Sequence, residues 1–92
     1  NMDKTMTNAR VYWATEENAF EMQVENFNTI EDANQYLEEL ADDVEIDIEG
    51  NTIEGVDAEG YEFYAYAVES KDFQEIEDTL TSMREQYIEE NF

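Results

Sequence analysis

The sequence predicts an α+β domain: a mostly antiparallel sheet in the element order ββαβββα, with two helices packed on one face. Three observations carry this. Apolar residues alternate with carboxylates in short runs, two longer segments switch to helical period, and Gly, Asn and Asp clusters separate the runs in a chain with no proline. The length of 92 residues fits a single domain over residues 9–92. Residues 1–8 read as a polar, flexible arm, with Asn1 ahead of Met2 as a cloning scar.

Arg10 to Ala14 and Ala19 to Glu25 flank Thr15-Glu16-Glu17-Asn18, the signature of a hairpin. Alternation in the second run points Phe20, Met22 and Val24 to the core and Glu21, Gln23 and Glu25 to water, with Val11 and Trp13 on the matching inner face. A helix follows. Asn28 or Thr29 caps it, Glu31 and Asp32 sit in the first turn, and Ile30, Ala33, Leu37, Leu40 and Ala41 form one apolar stripe that ends near Asp42.

Val44 to Glu49 is the clearest alternating segment, with aliphatics on one face and Glu45, Asp47 and Glu49 on the other. Gly50-Asn51 turns the chain into a strand over Thr52 to Val56, where Gly55 suggests a bulge. Asp57-Ala58-Glu59-Gly60 turns it again into Tyr61 to Val68. That last strand is apolar on both faces, as a central strand should be: Phe63, Ala65 and Ala67 on one, Tyr64, Tyr66 and Val68 on the other. Ser70 or Asp72 then caps a long helix whose stripe is Phe73, Ile76, Leu80, Met83 and Tyr87.

Charge dominates the composition. Four Lys and Arg stand against 26 Asp and Glu, with no His, for a formal net charge of −22. With 41% hydrophobic residues the chain is too apolar for a disordered acidic tail, so it should fold. Like charge adds nothing to a fold and weakens it by self-repulsion, while its field steers cationic partners from a distance. The same charge argues against direct contact with nucleic acid or anionic lipid, which recruit Lys and Arg. No run approaches the roughly 20 apolar residues of a membrane span, and no basic segment followed by an apolar run appears at the start. A soluble, cytoplasmic protein is expected.

Catalytic chemistry is poorly supplied. The chain has neither His nor Cys, so the commonest general base and the commonest low-pKa nucleophile are missing, and a domain of this size has little room for a carboxylate-pair cleft. No enzyme activity and no cofactor are expected. Asp43, Glu45, Asp47 and Glu54 fall in a calcium-loop frame, but Ile48 stands where the sharp turn needs Gly, and strand alternation already explains the spacing. No specific metal site follows.

The carboxylate rows are the stronger signal. Successive outward residues on a strand stand about 6.6 Å apart, and neighbouring strands lie about 4.8 Å away, so Glu45, Asp47 and Glu49 begin a two-dimensional negative array. Glu21 and Glu25 extend it from the first hairpin, Glu54 from the meander, and Glu59 and Glu62 from its turn. Tyr12, Tyr64 or Tyr66, if exposed, could anchor a partner, and Tyr64 and Tyr66 could instead pack beneath a neighbouring element. B-form DNA carries one charge per about 1.7 Å of axis, and a rigid carboxylate array can occupy the cationic sites that grip it.

In size and charge, in rows such as VEIDIEGNTIEG and in the acidic helix ending EQYIEENF, the chain resembles the small acidic DNA-mimic inhibitors of phages and mobile elements, of the anti-CRISPR and anti-restriction type. The resemblance implies a stoichiometric, non-catalytic blocker, often dimeric. Its implied partner is a basic nucleic-acid-binding protein or nuclease, such as a CRISPR effector or restriction enzyme, in a bacterial host's cytoplasm. Two other readings use the same electrostatics: an acidic immunity protein that neutralises a nuclease toxin, and a salt-adapted domain with an unrelated binding role. The chain's carboxylates are 18 Glu and 8 Asp, beside many Asn, Ile and Tyr, which weighs against salt adaptation.

Overall fold

The computed structural model describes residues 7–44 and 48–92. The class is α+β: four antiparallel strands in one sheet, β1 (Ala9–Thr15), β2 (Gln23–Phe27), β3 (Thr52–Val56) and β4 (Glu62–Glu69), with helices α1 (Ile30–Val44) and α2 (Phe73–Asn91). The sheet order is β2-β1-β4-β3. β1 and β4 are therefore the central pair, joined over seven residue pairs from Ala9↔Glu69 to Thr15↔Phe63.

The helices do not share a face. α1 packs on Ala9, Val11, Phe63, Ala65 and Ala67, while α2 packs on Tyr12, Ala14, Tyr64, Tyr66 and Val68. These two sets are the odd and even positions of β4 and, in β1, the alternating positions that pair with them, so they lie on opposite sides of the sheet. The expectation of both helices on one face is corrected to a three-layer α/β/α sandwich. The physical reason lies in β4 itself: a strand apolar on both faces needs a cover on both.

The two cores differ in grain. Alanines at 9, 65 and 67 let α1 approach closely, and Leu37, Ala33 and Ile53 are fully buried there. Tyr36 of α1 packs at a tilt against Trp13, with ring centroids 5.8 Å apart, and against Phe27, at 5.4 Å. On the other side α2 sits on rings, with Leu80 fully buried beneath it and Phe73, Ile76, Met83 and Tyr87 around it. The expected stripes of both helices are the ones that pack.

Caps follow local chemistry. Thr29 Oγ1 accepts from the Asp32 amide at 3.1 Å, which makes Thr29 the N-cap of α1. Ser70 to Asp72 form a short 3-10 turn before α2, and Asp72 makes no side-chain capping bond. The Asp57–Gly60 turn forms as expected: Gly60 takes φ +92, its amide donates to the Asp57 carbonyl, and Asp57 Oδ1 accepts from the amides of Glu59 and Tyr61. Asn8, expected in the flexible arm, is tied down: its amide donates to the Phe27 carbonyl and its own carbonyl accepts from Ser70.

Three local expectations change. The first hairpin turns more slowly than its sequence suggests, because Ala19 and Phe20 take left-handed backbone at φ 57 and 59, and β2 starts only at Gln23. Phe20 is still buried, but in the core beneath α2, while Met22 and Val24 stay exposed because α2 seats on β1 and β4 and not on the edge strand. Gly55 pairs with Phe63 in regular register, so it is not a bulge. The strand expected over Val44 to Glu49 is the third. Val44 closes α1, Glu49 forms only an isolated bridge to Thr52 around Gly50 and Asn51, and Glu45 to Asp47 lie outside the described residues.

Burial of Leu37 and Leu80 in separate cores sets a stability prediction. Leu37→Ala and Leu80→Ala should each lower unfolding stability by about 2–5 kcal/mol. With no shared partners, the double variant should lose the sum to within about 0.5 kcal/mol in urea titrations, provided the single variants remain folded enough to measure.

Candidate acidic interface

The three-layer arrangement redistributes the carboxylates. Both faces of the central strands are covered, and the backs of the helices turn rows of exposed carboxylates outward. On α2, Glu75, Asp78, Glu85 and Glu89 are exposed and fall along one stripe, diametrically opposite the apolar stripe, with Ser82 in the intervening turn. At 1.5 Å per residue that row is about 21 Å long. On α1, Glu31, Glu38 and Asp42 make a similar exposed row, with Gln35 between and Asp32 and Glu39 beside it. Such i, i+4 like-charge pairs cost a few tenths of a kcal/mol each, and no neighbouring Lys or Arg offsets them along either row.

The described cations are largely turned inward. Arg10 lies 4.3 Å from the Phe73 ring centroid, donates from Nη1 to Glu77 Oε2 at 3.1 Å and to the Tyr12 hydroxyl at 2.8 Å, and from Nε to Asn26 Oδ1 at 2.8 Å. The Tyr12 hydroxyl in turn donates to Glu77. Burial, followed by Glu77, raises the Tyr12 pKa above its ordinary value. Arg84 donates to the Ala19 carbonyl at 3.1 Å and so braces the left-handed turn. Among the described residues, Arg10–Glu77 is the one ion pair, and Lys71 is exposed in the turn before α2.

The expected sheet array is split. Glu25 is opposite Val11 and so stands on the α1 side of edge strand β2, with Glu21 exposed just before that strand. Glu54 is opposite Tyr64 and stands on the α2 side of the other edge strand, β3. Two central strands separate those edges, a distance of about 14 Å at 4.8 Å per strand. Glu49 is exposed at its bridge, and Glu45 and Asp47 lie outside the described residues. Glu59 is exposed in the β3–β4 turn, where its carboxylate approaches those of Glu17 and Asp57 to within 4.8 Å; the hydrogen bonds of Asp57 give that residue a turn-closing role.

One group of the expected residues does come together. Glu54, Glu62, Tyr64 and Tyr66 share the α2 side of the β3–β4 hairpin. The Tyr64 hydroxyl donates to Glu62 Oε1 at 2.8 Å, the Tyr66 hydroxyl to Glu54 Oε2 at 3.4 Å, and Glu16 Oε1 accepts the Glu62 amide at 3.1 Å. Tyr64 and Tyr66 are half-buried, neither fully packed away nor fully presented, whereas Tyr12, expected as an exposed anchor, is buried beneath α2. Sequence reasoning missed Glu16, and it counted Glu90 only with the acidic row of the terminal helix. Glu16 sits in a turn 46 residues from Glu62, and nothing local marks the contact; Glu90 lies on the flank of α2 that meets this hairpin.

Both tyrosines titrate late. Burial, then Glu54, pushes Tyr66 up to about 12, and the bond to Glu62, then burial, raises Tyr64. Comparison with protein-family models, curated proteins and solved structures returned no match to this chain. No described helix is long and apolar enough to cross a membrane.

A phenol whose folded pKa is raised above 10 stays protonated longer in the folded state, so stability present below pH 10 is lost as pH rises toward about 12. Urea midpoints should therefore fall across that window. Tyr66→Phe should make the fall shallower, and an unchanged slope would show that Tyr66 is not the group responsible.

Proposed function

We propose that the protein is a non-catalytic inhibitor that occupies the basic nucleic-acid-binding site of a DNA-binding enzyme, presenting carboxylates where that site holds phosphates. The single observation that carries this reading is the segregation of charge: rows of exposed carboxylates, with no ion-pair partner among the described residues, on the backs of two helices on opposite sides of the sheet, while both described arginines are engaged within the fold. A cleft that closes on a duplex meets negative charge on two sides, and a three-layer sandwich with acidic outer helices offers the same. Solubility alone does not account for it, because a soluble surface normally mixes both signs.

Electrostatic association of this kind is fast and steeply salt-dependent. Protein immobilised at low salt and exposed to bacterial lysate should retain nucleic-acid enzymes that duplex DNA displaces. For a captured enzyme, the association rate should fall at least about tenfold between roughly 50 and 200 mM salt. Replacing Glu75, Asp78, Glu85 and Glu89 by Lys should slow it comparably while circular dichroism still reports a folded chain. Retained enzymes that duplex DNA does not displace, or rates indifferent to salt, would sink the proposal.

A further inference from the structure

Between the C-terminal half of α2 and the start of β4 the second core leaves a groove of about 520 Å³. That lies within the range of roughly 300–1,000 Å³ typical of ligand sites. Three rings, Phe20, Tyr64 and Tyr87, contribute to its lining beside the polar Gln86 and Asn91, and it also carries Glu16, Glu62 and Glu90; neither Lys nor Arg is among its lining residues. The rings are locked to one another, Phe20 lying 6.2 Å from Tyr64 and 5.4 Å edge-on from Tyr87. Two of the carboxylates are also held, Glu62 by the Tyr64 hydroxyl and Glu16 by the Glu62 amide.

We propose that this groove seats an arginine side chain of the partner protein. A guanidinium is planar, lies over aromatic faces within about 6 Å, and presents paired donors to a carboxylate, whereas an ammonium is a compact and more strongly hydrated charge. The molecule already holds one arginine this way. At the other end of α2, Arg10 lies over the Phe73 ring while it donates to a tyrosine hydroxyl and to a glutamate. The groove repeats those parts on the same side of the sheet: a ring wall, the Tyr64 hydroxyl, and Glu62 with Glu90. The assignment rests on the reading of the protein as a blocker of a basic site, and deepens it by placing in the groove a side chain that otherwise grips phosphate.

The probe is N-acetyl-arginine amide, titrated into ¹⁵N-labelled protein, with the lysine and the neutral citrulline derivatives alongside. Arginine should give saturable shifts centred on Phe20, Tyr64 and Tyr87, lysine weaker ones, and citrulline none. The double variant Glu62→Gln and Glu90→Gln should weaken arginine binding about tenfold, and Glu90→Gln alone should weaken it less. The pair Glu75→Gln and Glu85→Gln removes the same charge from the outer row and should leave the groove unaffected. Non-saturating shifts spread over the outer rows, or equal weakening by the outer-row pair, would overturn the assignment by reducing it to general attraction of cations. Because the probe needs no partner, an empty result beside intact DNA-displaceable capture rejects the groove alone, and failed capture beside specific arginine binding rejects the inhibitor reading alone.

Discussion

The rest of the structure depends on the β1–β4 pair being apolar on both faces. Seven paired residues run through the middle of the sheet, and every second position of each strand needs cover from one side or the other. One helix cannot supply both. Two are therefore recruited to opposite sides, each contributing a single apolar stripe and turning its remaining circumference to water. In a chain of net charge −22 that outward circumference is necessarily acidic, so the demand for two-sided burial is also what displays the charge in two places.

Scarce cations are spent on the fold itself. Arg10 ties β1 to α2 through a ring, a hydroxyl and a carboxylate, and reaches β2 through Asn26. Arg84 ties α2 to the carbonyl of a residue in strained left-handed backbone. Each therefore acts as a contact between α2 and the segments beneath it. The consequence for the surface is that neither arginine interrupts a carboxylate row. The repulsion this leaves acts over about a Debye length, 8–10 Å near physiological salt, so it weakens the domain most when salt is low, the condition that also favours capture of a basic partner.

Much of the architecture was legible. Thr29 with Glu31 and Asp32 announced α1, the Phe73-to-Tyr87 stripe announced α2, and the Asp57–Gly60 turn and the double-sided β4 were plain from residue type and spacing. The hairpin at Ala19 and Phe20 was not, since left-handed backbone at an alanine and a phenylalanine runs against local preference and is held by the Arg84 bond and by burial of the Phe20 ring. Val44 was drawn into a strand by its alternation with Glu45 and Ile46, whereas in the fold it completes the buried stripe of α1 four residues after Leu40. A short alternating run beside a helix satisfies both periods, and packing chooses between them.

The sequence by itself determined that the chain is built from alternating strands and two amphipathic helices, and that its charged outward positions are overwhelmingly negative. Tertiary structure alone decided on which side of the sheet each helix lies, and hence that the carboxylates form rows on two opposite backs with a tyrosine-lined groove at one end of α2. Periodicity says which face of an element is apolar, but the side of the sheet it covers, and the meeting of Glu16 with Glu62 across 46 residues, depend on contacts between segments that share no local signal.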